Sequence, residues 1–185
     1  MSGMDLVPVA AALPALGWAV HGSVLTHRLV GARRDPLTGL HTRAGWTARA
    51  ERLLAKHPNA LVVLVDLDDF KAINDQHGHP AGDAVLAATA RRLNDWVGRH
   101  GIAGRIGGDE FVAIVTEPAH TTGFNALRTA LDRPVHHNGE VLPVSASVGR
   151  SRRADLPVPT LTDALSAADT AMYAAKGHSR RNTQH

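Results

Sequence analysis

The chain of 185 residues contains no cysteine. That absence excludes a disulfide framework, a thiolate nucleophile and any zinc or iron–sulfur centre built on thiolate ligands. Aromatic residues supply only 4% of the sequence, with a single tyrosine, and no basic patch is interleaved with them. A nucleic-acid surface is therefore not expected. Charge of one sign is scarce too: 20 Lys and Arg against 17 Asp and Glu leave a formal +3. So small a balance does not argue for a polyanion, and it suits an anionic small substrate equally well. Low-complexity tracts and internal repeats are missing as well. What is present is an ordinary 44% hydrophobic content. With this length it fits one α/β domain of about 150 residues and a short appendage.

The appendage is the N-terminus, residues 1–34. From Leu6 to Leu25 no residue carries a formal charge, and His21 and Ser23 are the polar interruptions. A helix needs about 20 apolar residues to cross a bilayer. His27-Arg28 and Arg33-Arg34 follow the run and only Asp5 precedes it. That asymmetry predicts a single-pass membrane anchor with the rest of the chain in the cytoplasm. Pro8 and Pro14 would kink such a helix, and a soluble docking or dimerisation helix is the alternative. A cleaved signal peptide is disfavoured by the missing basic n-region.

Beyond it, Asp35-Pro-Leu-Thr-Gly-Leu40 reads as a capped turn, and Asp or Thr could cap a helix over about 44–56. Leu61 to Val65 is a continuous apolar run, as in a central strand buried on both faces. It ends in Asp66-Leu-Asp-Asp69. A helix carrying Phe70, Ile73 and Asn74 follows, then the His77-Gly-His-Pro80 turn and a longer helix over about 82–97. Two strands, Ile102–Ile106 and Phe111–Val115, flank Gly107-Gly108, which reads as a two-residue hairpin turn using the positive φ that glycine tolerates. Residues 123–131 read as helix, 141–148 as an alternating strand, and 160–176 as a last helix. Its predicted apolar stripe is Leu161, Leu165, Ala168, Met172 and Tyr173. Alternating helices and strands of this kind imply a single α/β layer fold.

Carboxylates concentrate at two of these points. Asp66 ends a central strand, and Asp109 and Glu110 follow the paired glycines. In a compact sheet the two places can be neighbours, and facing acids repel unless a cation lies between them. A few hard oxygen donors suit Mg²⁺ or Mn²⁺ completed by phosphate oxygens. The plainer alternatives are a solvated Gly-Gly-Asp hairpin and a simple helix N-cap in Asp66-Leu-Asp-Asp69. His77-Gly-His79 could suggest a metal pair, but a turn between helices is the better reading. Most of the 12 histidines are expected on the surface, and Trp18 and Trp46 as interface or core anchors.

Five motifs in order make the sequence resemble the GGDEF family of diguanylate cyclases over about residues 35–182, leaving 183–185 as a tail. They are Asp35-Pro-Leu-Thr-Gly-Leu40, Asp66-Leu-Asp-Asp-Phe-Lys-Ala-Ile-Asn-Asp75 with Gly82-Asp83, Gly107-Gly-Asp-Glu-Phe111, Ser145-Ala-Ser-Val-Gly149 and Tyr173-Ala-Ala-Lys176. The resemblance implies a palm-like α+β fold, with a central, mostly antiparallel sheet flanked by helices as in nucleotidyl cyclases. It implies the Mg²⁺-dependent condensation of two GTP molecules into cyclic di-GMP, with release of two pyrophosphates, across a homodimer. Asp66, Asp109 and the Leu67 carbonyl would hold the metal, and Glu110 would be metal-associated or accept the proton. Asn74 and Asp83 would read guanine, because an Asp that accepts from N1–H and N2–H₂ is left unpaired by adenine. Amides around Phe70-Lys71 and Gly107-Gly108, together with Lys176 and Arg180, would bind the phosphates. The second reading is a catalytically inactive GTP-binding or interaction module on the same fold.

Two departures stand out. The family's closing Lys-x-x-Gly-Arg-Asn reads Lys176-Gly-His-Ser-Arg-Arg-Asn182 here, which makes the match to Asn182 insecure. The family's Arg-x-x-Asp product-inhibition motif falls on Gly98-Arg-His-Gly101. Neither guanidinium nor carboxylate is in register, so no product-inhibition site is expected.

Overall fold

The computed structural model describes residues 33–116 and 123–182, the residues after Lys176 as backbone only. Leu61 to Val65 is apolar at every position, and this decides where the strand sits: both of its faces are buried. It forms β2 (Leu61–Leu67), the fourth strand of a five-stranded sheet. The sheet order is β1 (His41–Thr42), β3 (Gly101–Arg105), β4 (Glu110–Val115), β2, β7 (Ala146–Arg152). Only β1 and β3 run parallel; every other pair is antiparallel. The mostly antiparallel palm-like sheet that the motifs implied is thus present.

Alternate residues of β2 and β4 divide the core in two. Val63, Val65, Phe111 and Ala113 pack with Val85, Leu86 and Leu93 of α3 (His79–Val97) and Leu127 and Leu131 of α4 (Phe124–Leu131). Val62, Val112 and Ile114 pack on the other face with Trp46, Ala50 and Leu54 of α1 (Arg43–Lys56) and Leu161 and Ala164 of α5 (Leu161–Asn182). Trp46 is a core anchor, 1% exposed, and its indole N–H donates to the Ile102 carbonyl at 3.3 Å. Trp18 and the apolar stretch 6–25 lie outside the described residues.

Thr42 caps α1 by accepting from the Gly45 amide at 3.4 Å; Asp35 and Thr38, the caps expected, instead bond each other within the entry turn. Several expectations are corrected. Residues 141–148 are not one strand: Glu140–Leu142 forms β6, paired with β5 (Val135–His137), and β7 starts only at Ala146. The turn between β5 and β6 is Asn138-Gly139, both at positive φ (49° and 83°), a hairpin signal overlooked in the sequence. Tyr173 leaves the apolar stripe of α5 and is 79% exposed, while Ala164 joins it. Among the histidines, His41 is buried.

Gly149 lets α5 lie directly on β7: a Cβ there would strike the Ala168 carbonyl and approach Met172 Cβ to 2.6 Å. Gly98 and Gly101 are also held as glycine by the backbone. Gly98 has φ +55°, and a Cβ on Gly101 would strike the Ile114 carbonyl oxygen. An arginine at Gly98 or an aspartate at Gly101 is therefore opposed by conformation and by packing respectively. Gly98→Arg and Gly101→Asp are each expected to lower the unfolding free energy by about 1–3 kcal/mol in urea titrations. Variants as stable as the parent would contradict this packing.

Candidate active site

Asp66 does not end its strand, as the sequence suggested, but lies within it. It pairs in register with Glu110 of β4 on one side and Ser147 of β7 on the other. Cross-strand partners point to the same face, so the carboxylates of Asp66 and Glu110 stand together. Both line a cleft of about 290 Å³ against Leu165, Asp169 and Met172 of α5. One residue on, the Leu67 amide donates to the Asp109 carbonyl at 3.3 Å. The acids that the sequence placed at two separate points are therefore neighbours. Lys176, from the far end of α5, places its ammonium 2.6 Å from Asp66 Oδ2.

The glycine pair works differently from the expected two-residue turn. Residues 106–109 connect β3 to β4, and neither Gly107 nor Gly108 has positive φ. A Cβ on Gly107 would crowd the Glu110 carboxylate, which would have to turn aside. Around Gly108 a Cβ would meet nothing within 4 Å, so no internal contact demands glycine at that position. Two arginines that the sequence reading left without a role hold this loop. Arg43 donates to the Ile106 carbonyl at 3.1 and 2.8 Å, and Arg105 to the Gly108 carbonyl at 3.1 and 2.7 Å. Arg105 also bridges to the Asp35 carboxylate at 3.3 Å, tying the entry turn to the Gly107–Asp109 loop.

The three acids of Asp66-Leu-Asp-Asp69 do not serve as a helix cap. Asp69 sits in the left-handed region (φ 52°) and makes no side-chain capping bond to α2 (Phe70–His77). Asp68 instead accepts from the Ser147 hydroxyl at 2.7 Å. The first turn of α2, with Phe70 and Lys71, is thus left without a side-chain cap, the arrangement that suits an anion. Gly82, the residue before Asp83, lets α3 press against Asn74 of α2: a Cβ at Gly82 would strike the Asn74 amide and lie 3.2 Å from Phe70. Asp83 is exposed beside it. His77, Gly78 and His79 form the junction of α2 and α3, and His77 pairs with Glu140 at 2.9 Å. Arg180 lies in the last turns of α5, its side chain outside the described residues.

Among the described residues no group of three or more His, Asp and Glu forms an all-protein metal cage. The donor set fits the alternative, a Mg²⁺-type ion held by one or two carboxylates and completed by substrate oxygens. Asp66 and Glu110 in register, beside the Leu67–Asp109 contact, are the hard donors this requires.

The GGDEF-domain model, described as a diguanylate cyclase domain, matches residues 32–182. The chain belongs to the GGDEF family. Over 98% of both chains it is 63% identical to an uncharacterised 19.3 kDa protein of Streptomyces ambofaciens. It is 36% identical to the diguanylate cyclase TpbB of Pseudomonas aeruginosa, covering 80% of this chain but 36% of that one. Among solved structures, a sensory box/GGDEF family protein from Caulobacter crescentus superposes with a TM-score of 0.69 at 38% identity, covering 80% of this chain and 99% of that one. The GGDEF domain of DgcB from the same organism, in complex with c-di-GMP, gives 0.72 at 26% identity, covering 80% of this chain and 89% of that one. GGDEF relatives therefore include named diguanylate cyclases, of which this chain spans about a third in the case of TpbB.

Asp35 shows how firmly the entry turn is set. Burial opposes its charge, but bonds from the Thr38 hydroxyl and amide and the Arg105 guanidinium outweigh burial and hold its pKa below the ordinary value. A lowered folded pKa contributes stability above the unfolded value, and that contribution is lost as pH falls through the folded one. Asp35→Asn should therefore cost about 1–2 kcal/mol at pH 7, and the difference from the parent should start to shrink at about pH 4 and close only once the pH lies below the lowered folded pKa. Denaturation curves across that pH range check this; a constant difference would refute it.

Proposed function

We propose that this protein is a diguanylate cyclase that condenses two GTP molecules into cyclic di-GMP. The observation that carries the reading is the convergence on one sheet end of Asp66, Glu110 and the Asp109 loop. Asp83 would accept from the guanine N1–H and N2–H₂ edge, and Asn74 would satisfy O6 or N3. An adenine leaves the Asp83 carboxylate unpaired, which predicts preference for GTP over ATP. Amides of Phe70 and Lys71 at the start of α2, with Gly107 and Gly108, would receive the phosphates. Lys176 and Arg180 would add positive charge.

Asp66, Asp109, Glu110 and the Leu67 carbonyl would hold Mg²⁺ or Mn²⁺, which supplies charge neutralisation at the phosphates and lowers the pKa of the ribose 3′-hydroxyl. Glu110 would accept that hydroxyl's proton. Each 3′-oxygen bonds to the α-phosphorus of the other GTP as the bond to pyrophosphate breaks. Two bonds form and two pyrophosphates leave, so two loaded copies must face each other as a homodimer. Positioning and electrostatics carry such an in-line transfer. Because Gly98 and Gly101 supply neither the guanidinium nor the carboxylate of the family's product-inhibition motif, the reading includes turnover without product inhibition through that segment.

Incubating the purified full chain with GTP and Mg²⁺ should yield cyclic di-GMP by chromatography. Asp109→Ala should lower the rate by about 10³-fold or more, and added product should leave the parent rate unchanged. GTP bound without product at high protein concentration would replace this reading with a non-catalytic GTP-binding module.

We further propose that the uncharged stretch 6–25 anchors the protein to the cytoplasmic membrane. Its length and flanking charges support this; among the described residues no helix is long and apolar enough to cross a membrane. Fractionating cells that carry a C-terminally tagged protein should place it in the membrane pellet. Recovery in the soluble fraction alone would overturn the anchor.

A further inference from the structure

Strand β7 lies at the end of the sheet. Among the described residues it is paired on one side only, with β2 along its whole seven-residue length. The opposite edge strand, β1, has two residues and is overlaid by the Arg34–His41 bridge. An edge as long as β7 offers a row of backbone donors and acceptors to another extended chain, apart from the Ala146 amide, which donates to the Asp132 carboxylate at 3.2 Å. Two clefts, of about 250 and 300 Å³, follow it one after the other and share Arg150.

The walls of this groove differ. On the α5 side are Ala175, Ala171 and Ala167, spaced at four residues on one helix face. Their short side chains leave the strand edge within reach of a backbone. On the other side stand Arg128 of α4 and Arg150, stacked 4.4 Å from the Phe124 ring centre, with Arg152 two residues further along β7. All three arginines are exposed. Two carboxylates mark the ends of the groove: Asp68, held by Ser147, and Asp155. The positive charge is therefore central.

We propose that this edge binds an extended, acidic segment of another protein, which adds as a strand beside β7. Strand alternation puts Arg150 and Arg152 on one face. The segment's acidic side chains therefore recur every second residue toward the arginines, and the residues between them, facing the alanines, are small. A second copy of this chain is a poor occupant, because antiparallel pairing of two β7 edges would oppose arginine to arginine. Residues 1–32 are no better, since Asp5 is their only acid. The groove begins where β7 pairs with Asp66 and Leu67, so a docked segment would end at the carboxylate loop. The inference does not depend on the proposed catalysis.

The test is fluorescence anisotropy of the full chain with a labelled peptide of roughly nine residues, enough to span a strand, alternating glutamate with serine or valine. We expect this peptide to bind and its lysine counterpart not to. Arg150→Glu/Arg152→Glu should weaken binding roughly tenfold, the loss of two exposed charge pairs, and should admit the lysine peptide. Methylating alternate peptide amides, which removes the ladder donors without changing charge, should abolish binding. If the double variant fails to fold by circular dichroism, Arg128→Glu at its exposed helix position carries the same expectation. No binding of the acidic peptide, equal binding after methylation, or indifference to the arginine reversals would each overturn the proposal. So would tighter binding of a single-stranded oligonucleotide of equal charge, which would make the groove a nucleic-acid surface.

Discussion

Asp66 and Glu110 face each other across an antiparallel ladder, and like charges directly opposed on neighbouring strands are destabilising. Much of the molecule is arranged around that conflict. The ladder cannot slip to relieve it, because a one-residue shift would turn the apolar residues of β2 and β4 out of their two cores. The relief comes from outside the sheet. Lys176 reaches Asp66 across 110 residues of sequence, and it can do so because Gly149 lets α5 lie against β7 without an intervening side chain. Sheet register, helix packing and the charge state of the site are thus one problem with one solution.

The loop that carries Asp109 is held in the same manner, by groups distant in sequence. Arg43 and Arg105 fasten the carbonyls of Ile106 and Gly108, and Arg105 extends the link to Asp35 at the start of the domain. A loop with two glycines would otherwise lose considerable conformational entropy on ordering. Here its backbone acceptors are taken by guanidinium groups anchored on an adjacent helix and strand. The consequence is a carboxylate pair presented by a fixed backbone, the condition a metal–phosphate site requires.

Much of this was legible in the residues. The unbroken run Leu61–Val65 announced a strand buried on both faces. The acids of the site were found because carboxylates at strand ends are unusual. Three features depart from the sequence pattern. Gly107-Gly108 reads as a positive-φ turn, yet neither residue has positive φ and the space at Gly107 is filled by the Glu110 carboxylate. Asn138-Gly139 is a hairpin signal that competes with the alternation of Val141 to Val148, and the hairpin forms. Tyr173 fitted a helical stripe by spacing alone and is exposed because the sheet beneath α5 ends at β7.

By itself the sequence determined the element types, the two-faced core strand, the carboxylate motifs and hence the family, since these depend on periodicity and on residues a few positions apart. Tertiary structure alone decided which charges meet: Lys176 with Asp66, Arg105 with both Asp35 and Gly108, and Glu110 rather than Asp109 directly opposite Asp66. The physical reason is range. Propensity and hydrophobic period act within a turn or a strand, whereas ion pairing acts between whichever groups packing brings within a few ångströms.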